Sequence, residues 1–147
     1  MEVLEESELE DLRKGVISGD KEKKLDKFMR LLSRKIDQTK DSLIDRFEWI
    51  ASQNPKSAPF MWKNGTMKGY IPEEGIRSAL KHGTLAVGQL GLAECLQILI
   101  GKTHTTEEGM EVAKRIERLF KKKCSEFKEE YKLNFGVYYT PRFEWAA

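Results

Sequence analysis

Between Leu25 and Ile50, apolar residues recur at spacings of three, four and seven: Leu25, Phe28, Leu32, Ile36, Leu43, Phe47 and Ile50. At 3.6 residues per turn such positions share one face, so they form the apolar stripe of an amphipathic helix. Lys24, Lys27, Arg34, Lys40 and Asp41 fall on the opposite face. The spacing predicts a long helix from about residue 20 to residue 53, with Asp20 as its N-cap. Ahead of it, residues 5–14 read as a short acidic helix that ends near Gly15. The run Asn54-Pro55-Lys56-Ser57-Ala58-Pro59 breaks the long helix, because each proline pushes the residue before it out of the α region. Residues 54–72 therefore read as extended or looped chain, with Asn64-Gly65 as a turn. Pro72-Glu73-Glu74 suits the first turn of a short helix that ends near His82-Gly83.

The pattern then changes period. Thr84-Leu85-Ala86-Val87-Gly88 is a short apolar run bounded by glycine, which predicts a buried strand. Leu92 to Ile100 reads as a helix stopped at Gly101. Thr105 and Glu108 have capping-box spacing and open a second long helix, with Ala113, Ile116, Phe120, Phe127 and Tyr131 on its apolar face. Leu133 to Thr140 is aromatic and β-branched and predicts a second strand. The order strand, helices, strand from 84 to 140 is a crossover long enough to join parallel strands, and such connections are right-handed almost without exception. Parallel strands need cover on both faces. One βαβ unit cannot supply that cover, so the expectation is part of a larger α/β barrel or sheet, or self-association.

Composition narrows the class. The chain has 147 residues, 39% hydrophobic and 34% charged, with a formal net charge of +2. That length is about one domain. So small a net charge gives no global field for nucleic acid or an anionic membrane. Lys121-Lys122-Lys123 is a local basic run, diluted by Glu126, Glu129 and Glu130, and reads as a solvated helix face. Cys95 and Cys124 lie far apart without CxxC spacing, which argues against zinc and against a disulfide framework. Each is expected to pack as a small apolar residue on a helix. His82 and His104 lack ligand spacing, so no metal is expected. Lys56-Ser57 without a glycine-rich loop is weak evidence for phosphate. No apolar run approaches the roughly 20 residues of a membrane span. The acidic N-terminus lacks a signal-peptide pattern, so the cytoplasm is the expected location.

Several blocks carry a resemblance. They are Asn54-Pro55-Lys56-Ser57-Ala58-Pro59-Phe60-Met61, then Ala79-Leu80-Lys81-His82-Gly83-Thr84-Leu85-Ala86-Val87-Gly88, then Gly91-Leu92-Ala93-Glu94. Leu99-Ile100-Gly101-Lys102-Thr103-His104 and Leu133-Asn134-Phe135-Gly136-Val137-Tyr138-Tyr139-Thr140-Pro141 come next in order. Together, over about residues 16–141, they resemble the anaerobic (class III) ribonucleoside-triphosphate reductases, a glycyl-radical enzyme family.

The resemblance implies an α/β fold, a fragment of a ten-stranded α/β barrel, with reduction of a ribonucleotide at the 2′ carbon inside it. It implies a glycyl radical installed by an iron–sulfur activase that uses S-adenosylmethionine, a thiyl radical on a loop cysteine, and formate as reductant. It also implies a homodimer, or association with the remainder of the enzyme. On this reading residues 1–19 are an acidic helix or extension, 20–141 a segment of the catalytic barrel, and 142–147 a divergent tail. The family's radical loop and loop cysteine are expected outside these residues, so no cofactor is expected within the chain. The departure after Thr140-Pro141 reads as truncation or a frameshifted fragment. The isolated chain is then expected to be inactive. The alternative is a helical interaction module that complements a separately encoded reductase portion.

Three residues are candidates for substrate binding. Glu94 falls in the first turn of a helix just past a strand end, a place the resemblance puts at the barrel mouth. The plainer reading of Glu94 is a carboxylate stabilised by the helix N-terminus, worth about 0.3–1 kcal/mol. Gly91, like Gly88, permits close backbone approach and positive φ. Thr140 begins the Thr-Pro step that leads, in the family, into a helix start suited to phosphate.

Overall fold

The computed structural model describes residues 21–139 of the chain. The acidic helix expected over residues 5–14, the Asp20 cap, Thr140 and residues 142–147 lie outside the described residues. The elements in order are α1 (Lys21–Ala51), a 3-10 turn (Pro55–Ser57), α2 (Pro59–Lys63), α3 (Arg77–Leu80), β1 (Thr84–Gln89), α4 (Leu92–Ile100), α5 (Glu107–Tyr131) and β2 (Asn134–Tyr139).

The stripe on α1 does what its spacing requires. Leu25, Phe28, Leu32 and Ile36 are buried against Ala113, Ile116, Phe120, Cys124 and Phe127 of α5, together with Leu96 and Leu99 of α4 and Val87 and Phe135 of the strands. Farther along α1, Ile50 joins a smaller cluster built on Trp62, Ile76 and Ala79. The two long helices run parallel, because the ion pairs between them climb both chains together. Lys21 pairs with Glu108, Arg115 with Glu22 and Asp26, and Lys123 with Asp37. The exposed pairs of Lys21 and Arg115 contribute at most about 1 kcal/mol each and fix register more than stability, while the Lys123–Asp37 pair is part-buried.

β1 and β2 pair in parallel, from Thr84 against Asn134 to Gln89 against Tyr139. The expected βαβ unit is therefore present in a helix-rich α/β fold. The expectation of a buried strand is corrected: in β1 only Val87 is buried, and Thr84, Ala86 and Gly88 are exposed. The helices cover one face of the two-stranded sheet, and alternation sends every second residue to the other.

Three local expectations also shift. Residues 54–72 are not simply looped, because Asn54 Oδ1 accepts from the Lys56 amide at 2.9 Å and Pro59 opens α2. Proline fits there because the first helical amide has no intrahelical partner. Pro72-Glu73-Glu74 does not start a helix. Ile71 and Gly75 close a bridge around it, and Ser78 Oγ, donating to the Gly75 carbonyl at 2.6 Å, holds that turn closed ahead of α3. The N-cap of α5 is Thr106, one residue later than the capping-box reading, with its hydroxyl accepting from the Gly109 amide at 3.1 Å. The ends of α4, at Gly91 and Gly101, fall where expected.

Candidate functional site

Parallel strands place all their C-terminal ends on one edge, and ligands of α/β sheets collect there. Here that edge is built from Gln89, the Leu90-Gly91 turn, the start of α4 and Tyr139. Gly91 is the N-cap of α4 with φ 79°, a left-handed conformation that lets the chain reverse from strand into helix within two residues. No side chain caps this helix start. Glu94 stands in the first turn and is exposed. Its carboxylate folds back over Gly91, since a Cβ on Gly91 would lie 3.7 Å from Glu94 Oε2. Gly91 and Glu94 are thus brought together. Gly88 needs no special conformation, because a Cβ there would meet nothing nearer than 3.9 Å, which corrects the expectation of a close approach. Thr140 lies one residue past the described strand.

A second carboxylate organises the edge. Gln89 Nε2 donates to Oε1 of Glu117, and the Tyr139 hydroxyl donates to Oε2 of the same residue. Both carboxylate oxygens are occupied, one by each strand, so Glu117 ties the two strand ends to α5. The bond to Glu117 holds the Tyr139 phenol well above its ordinary range, at about 12, with burial adding to the effect. Sequence reasoning missed this triad. A signal existed: Glu117 directly follows Ile116 and lies four residues past Ala113, a polar residue flanking the apolar face of α5.

Beside Glu117 runs an open groove of about 430 Å³, lined by Leu92, His104, Met110, Ala113, Lys114, Glu117, Arg118 and Lys121. Its floor is apolar and its rim cationic. Lys114 is paired with Glu111 at 2.8 Å. Among the described residues, no ion pair engages Arg118 or Lys121. The basic run that looked like a plain solvated face thus has one member, Lys121, on a groove, while Lys122 and Lys123 face Glu126 and Asp37.

The remaining candidates do not join this edge. Ser57 Oγ donates to the Asn54 carbonyl at 2.8 Å, so Ser57 serves its own turn, and the neighbouring Ala58 belongs to the smaller cluster. His82 packs its ring on Gly69, and His104 lies at the groove. No group of metal-ligating side chains occurs among the described residues. Cys95 lies within α4 and Cys124 is buried within α5. Burial pushes the Cys95 thiol up to about 11 and raises that of Cys124. No helix among the described residues is long and apolar enough to cross a membrane.

The strand–Gly91–helix edge and both parallel strands fall within a match to the family model described as anaerobic ribonucleoside-triphosphate reductase, which spans residues 16–144. The chain belongs to the anaerobic ribonucleoside-triphosphate reductase family. No curated protein matches it. The match covers every described element of the structure, so α1, the βαβ unit and the second cluster are all family structure. The family places the chain among the oxidoreductases that act on ribonucleotides.

Proposed function

We propose that these residues are a segment of the catalytic α/β barrel of an anaerobic ribonucleoside-triphosphate reductase, working in the cytoplasm, and that the segment does not turn over by itself. The observation that carries this is the two-stranded parallel sheet, which among the described residues has helices on one face only. Such a sheet is stable where further strands and cover complete it. Gly91 and Glu94, at the C-terminal edge of that sheet, would form one wall of the ribonucleotide site, and Thr140 would extend it. The reductase chemistry calls for a glycyl radical set by an iron–sulfur activase, a thiyl radical on an accessible cysteine, and formate as the electron source. Cys95 and Cys124 do not fit the thiyl role. Both thiols sit within helices, Cys124 buried and Cys95 half-buried, whereas a radical relay needs a cysteine at a loop facing substrate. No step is assigned to either.

The test is an anaerobic assay with activase, S-adenosylmethionine, formate and a ribonucleoside triphosphate. The chain alone is expected to give no deoxyribonucleotide. A family reductase deleted for the matching segment is expected to regain turnover when the chain is added. Turnover by the chain alone, or failure of that addition, overturns the reading. A helical module that pairs with a separately encoded reductase portion is the second reading. It is favoured by Trp49 and Phe60, which are 65% and 71% exposed. Co-purification with such a portion, lost in a Trp49→Ser/Phe60→Ser variant, would support it.

A further inference from the structure

Met110, Lys114 and Arg118 stand four residues apart on α5 and line the groove. Residues at that spacing share a helix face, about 6 Å apart along the axis. Met110 is 40% exposed and continues the apolar floor from Leu92. Lys114 and Arg118 are exposed cations beyond it. On α1 the same spacing recurs with the complementary chemistry, in Asp41, Asp45 and Trp49. These three lie off the stripe that packs into the core, and all are exposed. Asp41 meets its neighbour Lys40 through one carboxylate oxygen, and no ion pair engages Asp45 among the described residues.

We infer that this face of α1 docks in the groove of a second copy of the chain, with the two helices antiparallel. Taken backward along α1 and forward along α5, Trp49 meets Met110, Asp45 meets Lys114 and Asp41 meets Arg118. Equal steps of about 6 Å on both helices keep the three pairs in register. The parallel direction would set Asp41 on Met110, a carboxylate on the apolar floor, so the chemistry fixes the orientation. In the antiparallel one the indole covers Met110 and Leu92, and a thioether is a favourable neighbour for an aromatic ring. The carboxylates answer the cations and select the partner surface. Lys114 also pairs with Glu111, which is exposed and leaves the ammonium open to a second carboxylate. Glu117, the carboxylate of the groove wall, is committed to Gln89 and Tyr139. Because the two surfaces differ, the contact joins copies head to tail, unlike the self-complementary contact of a two-fold dimer. The inference stands on two helix faces and does not depend on the reductase reading.

Sedimentation equilibrium of the full chain tests it. The average mass is expected to rise with concentration above that of one chain. Lys114→Glu with Arg118→Glu removes the groove's charge, and Asp41→Lys with Asp45→Lys removes that of the α1 face. Each double variant alone is expected to stay at the mass of one chain. An equal mixture of the two is expected to associate again, because each supplies the surface the other has lost. Circular dichroism matching the parent confirms that both variants fold. Trp49→Ser, which changes no charge, is expected to weaken association as well and serves if a charge variant folds poorly. A parent chain that keeps the mass of one chain at every concentration would overturn the inference. So would double variants that associate like the parent, a mixture that stays monomeric, or parent-like association in Trp49→Ser.

Discussion

The ammonium group of Lys24 lies 2.9 Å from the carbonyl oxygen of Leu99 and donates to it. It donates also to the Ile98 carbonyl at 2.8 Å. These are last-turn carbonyls of α4, which have no partner within their own helix. Lys24 is 6% exposed, so a residue placed by periodicity on the polar face of α1 is in fact a buried cap for another helix. A cation suits that place, since the C-terminal end of a helix carries partial negative charge. Burial itself disfavours the charge and lowers the Lys24 pKa. Replacing Lys24 by Met keeps the aliphatic stem and removes the donor. The expected loss is about 1–3 kcal/mol, the cost of leaving buried acceptors unpaired. Urea unfolding measures it, and a Lys24→Met chain as stable as the parent would show that the cap contributes nothing.

Gly109, in the first turn of α5, has the closest approach to neighbouring atoms of the described glycines. A Cβ there would lie 1.9 Å from the Thr103 carbonyl oxygen and 2.7 Å from its carbonyl carbon. Both are main-chain atoms of the loop that leads into α5, so neither can turn aside. Gly109→Ala is expected to destabilise by about 3 kcal/mol or to prevent folding, at the upper end of overpacking costs. Gly88→Ala is the control, because its Cβ would meet only ordinary contacts at 3.9 Å and beyond. Thermal unfolding should separate the two variants, and equal melting temperatures would contradict the contact.

Much of the frame is legible in the sequence, and the reasons are periodic. The α1 stripe, the two strands, the Gly91 and Gly101 boundaries and the crossover all derive from spacing over many residues. The failures are local or long-range in kind. Pro59 reads as a breaker in isolation but serves as the first residue of a helix, because proline lacks only an amide that a helix start does not use. Pro72-Glu73-Glu74 has the composition of a helix start, yet Ser78 anchors the turn around it. Lys24, Gln89, Glu117 and Tyr139 meet partners 22 to 75 residues away along the chain, and no local pattern encodes such pairings. At the candidate site, Gly91 and Glu94 were visible because a strand end and a helix start carry their own signature. The carboxylate that locks the strand ends was not.

Tyr139 offers a pH signature of that lock. Its phenol is pushed up to about 12 in the folded chain, from an ordinary value of 10.0, chiefly because it donates a hydrogen bond to the Glu117 carboxylate. A raised folded pKa means the folded chain holds the proton more tightly than the unfolded chain. The stabilising contribution is therefore complete below pH 10 and is lost as pH rises through about 12. Stability differences between the parent and Tyr139→Phe are expected to be constant from pH 7 to 9 and to shrink between pH 10 and 12. In Glu117→Gln, ultraviolet titration should show this phenol returning toward 10. A Tyr139→Phe difference that grows with alkali would refute the assignment.

The two cysteines provide the sharpest functional prediction. Nucleophilic and radical chemistry at sulfur both require that reagents reach it, and thiolate reactivity requires a pKa near the working pH. Cys95 is held at about 11 by burial alone, which leaves almost no thiolate at neutral pH. Cys124 is buried where Cys95 is half-buried, and the nearby Lys128 charge only partly offsets the upward push on Cys124. Both are therefore expected to be inert to an aromatic disulfide reagent at pH 7.5 while the chain is folded. Both should react fully in denaturant, giving two thiols per chain, the number in the sequence. Cys95→Ser and Cys124→Ser should cost stability, since each places a hydroxyl where a small apolar group packs. In a reductase completed with this segment, Cys95→Ser should leave turnover in place apart from that loss. Fast modification of either thiol in the folded chain, or abolished turnover in Cys95→Ser at full folding, would return a cysteine of this segment to the radical chemistry.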